Sequence, residues 1–260
     1  MVATANRIKV RVKTAKYRKK SSTQWLQRQL NDPFVKKAHE MGYRSRATFK
    51  IMEIDDKFHI FKKGKKVVDI GSAPGGWSDV AVKRVGKGNV VAIDILDMKP
   101  IDGVHFKQID FNKDEAKEFL IDALNGKADA VISDIAPNTT GNATLDHLQI
   151  MALVEQGFYF AVDVLREGGA FVAKVRQGGT EAGLLQEMKK RFTTVKHFKP
   201  ESSRKESAET YVVAQGFKGL KIPWKNQGIF FNMFLYLSFP KFFLFFFPDK
   251  VLLFDDKFRS

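Results

Sequence analysis

Cysteine is absent from all 260 residues. That absence removes disulfides, Cys-ligated zinc, iron–sulfur clusters and thiolate nucleophiles. It also suits a reducing cytoplasm, which is the expected location. Acids are scarce beside bases: 29 Asp and Glu against 44 Lys and Arg leave a formal net charge of +15. A surplus of that size favours a polyanionic partner through counterion release, and nucleic acid is the commonest such partner. The basic N-terminus lacks an apolar h-region, so no secretory signal is expected; residues 1–30, Arg/Lys-rich and nearly free of acids, leave a transit peptide open. An uninterrupted spanning stretch of about 20 apolar residues is missing too. The Phe-dense run 229–247 is broken by Asn232, Ser238, Pro240 and Lys241, so membrane contact is not expected.

What is present falls into three regions. Residues 1–32 are basic and polar, with Tyr17 and Trp25 available to stack on bases of an RNA. Asn31-Asp32-Pro33 then reads as a turn or helix start. Residues 33–218 carry short apolar runs at 67–71, 89–94, 105–109, 130–134, 170–175, 194–198 and 210–215. Helical patterns at 75–85, 113–124, 145–165 and 181–191 separate most of them. This alternation predicts an α/β fold, a mostly parallel seven-stranded sheet with helices on both faces. The last two apolar runs are separated by the turn-like Lys199-Pro200-Glu201-Ser202-Ser203, too short for a helical crossover, so they are expected to pair antiparallel at one edge. Residues 219–260 form a Phe-rich extension without a recognisable role.

The first strand runs into Asp69-Ile70-Gly71-Ser72-Ala73-Pro74-Gly75-Gly76-Trp77-Ser78. A glycine-rich turn between a strand and a helix N-terminus lets a ligand approach the backbone closely. Dinucleotides and S-adenosylmethionine both use this position, but the dinucleotide fingerprint needs Gly where this chain has Ala73. The second strand ends in Asp94, suited to two ribose hydroxyls, and the third is followed by Asp110, suited to an adenine amino group. Acids at successive strand ends surround the ligand crevice of an open α/β sheet.

The fourth strand runs into Ser133-Asp134-Ile135-Ala136-Pro137-Asn138. An aromatic after the proline, which would stack on an extruded base in amine methylation, is missing. Methylation at pyrimidine C5 usually needs a Cys nucleophile, so an oxygen target remains. Lys174 interrupts the apolar strand Ala170-Phe171-Val172-Ala173-Lys174-Val175, a costly place for an ammonium group unless it is paired or snorkels out. Lys50 lies in the helix before the core, in Arg44-Ser45-Arg46-Ala47-Thr48-Phe49-Lys50, and Glu209 opens the seventh strand.

Those runs, with Ser202-Ser203-Arg204 and Glu209-Thr210-Tyr211, closely resemble the FtsJ/RrmJ (RlmE) family of ribosomal RNA 2′-O-ribose methyltransferases, in collinear order over roughly residues 20–218. The resemblance implies a Lys–Asp–Lys–Glu tetrad carried by Lys50, Asp134, Lys174 and Glu209. It also implies S-adenosyl-L-methionine contacts at Gly75, Trp77, Asp94, Asp110 and Asp134, with no metal. The expected activity is 2′-O-methylation of a uridine in large-subunit (23S) ribosomal RNA by a monomer, with Lys174 either taking the hydroxyl proton or orienting the hydroxyl. The Arg44/Arg46 region and the basic arm are expected to dock the RNA. A transfer RNA or messenger RNA cap 2′-O-methyltransferase is one alternative reading; a catalytically inactive RNA-binding ribosome-assembly factor is another. The Phe-rich extension departs from the family pattern.

Overall fold

The computed structural model describes residues 10–137, 140–176 and 182–219. The Phe-dense run, Asn138, Thr139 and Glu181 lie outside them, as does the side chain of Trp25. Each expected apolar run is a strand: β1 (Val67–Ile70), β2 (Val90–Asp94), β3 (Val104–Gln108), β4 (Ala128–Ser133), β5 (Leu165–Arg176), β6 (Phe192–Phe198) and β7 (Glu209–Phe217). The helices are α1 (Lys20–Leu30), α2 (Pro33–Glu40), α3 (Ala47–Phe58), α4 (Gly76–Val85), α5 (Asp114–Leu124), α6 (Ala143–Val164) and α7 (Ala182–Arg191).

The strands form one sheet in the order β3-β2-β1-β4-β5-β7-β6. The chain reverses at the Lys199–Ser203 turn, so β7 slots between β5 and β6 and runs antiparallel to both. All the other pairings are parallel. Parallel strands need cover on both faces, and period-two alternation supplies apolar side chains to each. Val67, Val90, Ala92, Ala130 and Val172 pack with Ile51 and Ile54 of α3 and Val80, Ala81 and Val85 of α4. Their strand neighbours Val68, Val91, Val131 and Phe171 pack with Leu120 of α5, Val154 and Phe158 of α6 and Met188 of α7. The parallel strands therefore deliver their C-terminal ends to one edge, where β1, β2 and β4 open into loops.

The N-terminal basic region is partly helical. Val10 and Val12 donate their backbone N–H groups to Asn31 and Gln27 at 2.9 and 3.1 Å, tying the chain before α1 onto that helix. Asp32 caps α2 by accepting from the Phe34 N–H, with Pro33 at the first helical position. Tyr17 is 85% exposed.

Candidate active site

The loop after β1 is built around two glycines with left-handed backbone, Gly71 (φ 73°) and Gly75 (φ 101°). Gly75 is the N-cap of α4, so the helix starts directly against the loop and aims its first N–H groups towards it. Asp69, buried at the end of β1, accepts from the Ser78 hydroxyl at 2.5 Å and locks loop to helix. Burial pushes its carboxyl up to about 7; the Ser78 bond pulls the other way, while the Asp134 and Asp94 charges add to the rise.

Beside this loop lie groups that fit an adenosyl methyl donor. The Ser72 hydroxyl is buried without a partner. Asp94 accepts from the Ala73 and Leu96 N–H groups, both at 2.8 Å, which fixes its carboxylate between two loops. A carboxylate has about four acceptor positions, so two remain for a diol. Asp110 takes both Asn112 bonds on Oδ1, at 3.0 and 2.9 Å, leaving acceptor capacity for an amino group. Ile95 and Leu96, 65% and 62% exposed, put apolar surface next to Asp94 that an adenine ring would cover. The only sequence cue to these two was a pair of aliphatics just beyond a strand-terminal acid.

Trp77 lies in the first turn of α4 with its ring turned inward. Its indole is buried, donates to the Ala47 carbonyl at 2.9 Å and packs on the Tyr211 ring. A ligand in the loop would meet its backbone N–H rather than its ring.

The four residues of the expected tetrad come from four elements and are brought together. Lys174 of β5 donates to the Asp134 carbonyl at 2.6 Å and pairs with Asp134 Oδ1 at 3.1 Å. The lysine inside an apolar strand is therefore paired, not snorkelling: 11% of its side chain is exposed. Lys50 of α3, buried, pairs with Glu209 of β7 at 2.6 Å. Tyr211, which reading the sequence left without a role, joins the two pairs. Its fully buried hydroxyl lies 2.8 Å from Asp134 Oδ1 and 3.3 Å from Glu209 Oε1. The i, i+2 spacing of Glu209 and Tyr211 on one strand face was the available cue. Ser203 adds a bond to Glu209 at 2.9 Å.

The electrostatics follow. Burial alone would raise the Asp134 carboxyl, but the charges of Lys174 and Lys50 and the bonds from Tyr211 and Lys174 outweigh it and hold the pKa below its ordinary value. Burial, then the Asp134 and Glu209 charges, push the Tyr211 phenol well above its usual range. The arrangement is two ammonium groups and two carboxylates bridged by a neutral phenol. Among the described residues, no group of three or more His, Asp or Glu could hold a metal ion, and no helix is long and apolar enough to cross a membrane.

The two arginines before α3 diverge. Arg44 donates to the Lys99 and Pro100 carbonyls, both at 2.7 Å. Arg46 pairs with Asp32 at 3.2 Å and donates to the Ser202 carbonyl.

A seven-stranded sheet with one reversed strand, a glycine loop after β1 and acids at the ends of the next strands define a Rossmann-like methyltransferase, which implies a methyl donor. The FtsJ-like methyltransferase family matches residues 43–217, and the chain belongs to that family. It is 57% identical over 216 residues to the ribosomal RNA large subunit methyltransferase E of Paramagnetospirillum magneticum, covering 81% of this chain and 88% of that one. Identity to the protein of the same name from Azorhizobium caulinodans is 54% over 219 residues, covering 83% and 91%. Among solved structures, one from Plasmodium falciparum assigned as a ribosomal RNA methyltransferase superposes with a TM-score of 0.61 at 32% identity, covering 68% of this chain and all of that one.

Proposed function

We propose that the chain transfers a methyl group from S-adenosyl-L-methionine to a ribose 2′-hydroxyl, at a uridine of large-subunit (23S) ribosomal RNA. The observation that carries this reading is the convergence of Lys50, Asp134, Lys174 and Glu209 beside the loop that starts at Asp69. The names of its relatives in Paramagnetospirillum and Azorhizobium supply the substrate class. The lack of cysteine and of an aromatic after Pro137 supports oxygen over carbon or amine targets.

The donor supplies a methyl group already made electrophilic by its sulfonium centre. Gly75 and the first N–H groups of α4 would hold the donor's polar end, Asp94 its ribose and Asp110 its adenine. The protein's task is then to place the 2′-oxygen in line, a form of positioning that supplies about 7–11 kcal/mol. Asp134 occupies two of the three N–H donors of Lys174, and the third orients the ribose hydroxyl. With two of its N–H groups held by Asp134, Lys174 is placed to orient the ribose hydroxyl, whose proton would pass to solvent as methyl transfer releases S-adenosylhomocysteine. Lys50, clamped by Glu209, adds a second positive charge beside the oxygen as negative charge develops there.

Mapping 2′-O-methyl groups in 23S ribosomal RNA with and without this gene tests the reading. One site should disappear, return with the wild-type chain and stay absent with Lys174→Ala. An unchanged map, or full restoration by Lys174→Ala, would refute it.

A further inference from the structure

We infer that Asp32, although acidic, is a positioning residue for RNA: it holds Arg46 and Arg204 on the wall of a cavity that seats a backbone phosphate of the substrate. The inference rests on the RNA reading above and goes beyond it in assigning the seat and the residue that sets it.

The cavity measures about 210 Å³ and is lined by Arg28, Arg46, Arg204, Glu206, Ser207 and Glu209. Glu209 also clamps Lys50, so the cavity adjoins the reacting groups. Behind the arginines the side chain of Asp32 is 5% exposed. Its Oδ2 accepts from Arg204 Nε at 3.0 Å, and Arg204 Nη2 and Arg46 Nε lie within 3.0 and 3.2 Å of it. Its Oδ1 caps α2 at 3.0 Å. Arg46 precedes α3 and Arg204 sits in the β6–β7 connection, so one carboxylate fixes two cations that sequence separates widely and that would otherwise repel each other. Asp32 and Glu206 do not balance three guanidinium groups, and Glu209 is engaged by Lys50. A positive surplus therefore faces the cavity. With their Nε edges turned to Asp32 and Arg46 Nη2 also donating to the Ser202 carbonyl, Arg46 and Arg204 keep their Nη1 groups, held in fixed orientation, for the oxygens of a phosphodiester.

Simple charge counting makes the opposite prediction, that deleting an acid from a basic cavity strengthens RNA binding. Asp32→Asn and Asp32→Ser in the full chain separate the two, because each keeps an N-cap acceptor while removing the charge. With an in vitro transcript of 23S ribosomal RNA, KM should rise about tenfold or more while kcat changes less than about twofold. Donor affinity by calorimetry should be unchanged, and the salt slope of RNA binding should become shallower by about 0.7 for each lost phosphate contact. Asp32→Glu, which keeps the charge, should recover most of the KM. Equal or tighter RNA binding by the Asn and Ser variants overturns the inference, as does a parallel loss of donor binding. Should both variants fail to fold, Arg204→Lys keeps a charge but loses the fork; the same rise in KM supports the inference and an unchanged KM overturns it. A wild-type chain that transfers no methyl to this RNA defeats the proposed function alone, since equilibrium RNA binding still reads the role of Asp32.

Discussion

Lys174 and Tyr211 face each other across the β5–β7 ladder, and both reach the same oxygen of Asp134, Nζ at 3.1 Å and the phenol at 2.8 Å. The reversed strand makes this possible. It brings Tyr211 opposite the lysine on the neighbouring strand, and Glu209, two residues earlier, onto the same face. Asp134 is thus held as an anion from two sides, and its orientation is fixed before substrate arrives.

Tyr211→Phe removes that hydrogen bond while keeping the ring that packs on Trp77. The loss should destabilise the fold by about 1 kcal/mol, because the half-buried Asp134 carboxylate loses the single O–H that the buried phenol gives it. The Tyr211 bond favours ionised Asp134, so without it the Asp134 pKa rises. The acid limb of the pH–rate profile should accordingly move to higher pH in the variant. Methyl-transfer rates across the acid range check this, and a superimposable profile would show that Tyr211 does not hold the Asp134 charge.

Strands and helices were legible because the strongest cue, apolar periodicity, is local. Val67–Ile70 and Val90–Asp94 fall within a residue of the runs that announce them. Strand β5 begins earlier than its run, at Leu165, which pairs with Ala128; pairing with β4 resumes at Ala170 after an irregularity that contains Gly168 and Gly169, the residues that read as a break. Helix α1 was hidden in a basic segment whose charges suggested only an arm. Lys50, Asp134, Lys174 and Glu209 were legible through family resemblance, and Lys174 also through its misfit in an apolar strand. Tyr211 and Asp32 were not legible. An aromatic in a strand looks like core, and an acid before Pro33 looks like a helix cap; both are true, and their second bonds exist only in three dimensions.

Asp69 gives the fold a pH dependence of unusual sign for an acid. Its carboxyl titrates at about 7 in the folded chain against an ordinary value of 3.8. The folded state therefore binds the proton more tightly than the unfolded state, and stability falls as pH rises through that window. A shift of this size corresponds to on the order of 4 kcal/mol. Asp69→Asn stays neutral and can still accept from Ser78, so it should gain stability relative to wild type between about pH 4 and 7. Melting temperatures of both proteins across the range provide the check; a constant difference would place the Asp69 pKa near its ordinary value.

Gly75→Ala should damage both fold and donor binding. The backbone there has φ 101°, and an added Cβ would lie 2.8 Å from Met98 Sδ and from Ile101 Cδ1. Left-handed backbone at a residue with a side chain costs about 1–3 kcal/mol, and relief of the contacts would move the loop that starts α4. The expected result is a lower melting temperature and donor affinity reduced more than about tenfold, measured by calorimetry with S-adenosylhomocysteine. Unchanged affinity would place the donor away from this loop.

Arg44 and Arg46 are two residues apart, yet their bonds assign them separate tasks. The Arg44 guanidinium is spent on the Lys99 and Pro100 carbonyls, and its chain runs beside Gly75, where an added Cβ would meet its Cδ at 3.2 Å. It ties the segment before α3 to the loop that follows Asp94, which narrows the sequence expectation that the whole Arg44/Arg46 region docks RNA. Arg44→Ala should therefore weaken donor binding and lower the melting temperature, with little effect on the salt slope of RNA binding. Arg46→Ala should do the reverse, leaving donor affinity intact and making the slope shallower by about 0.7. RNA binding at several salt concentrations, with calorimetry on the same preparations, separates them. Equal slopes in the two variants would mean that the bonds to Lys99 and Pro100 do not keep Arg44 from the RNA backbone.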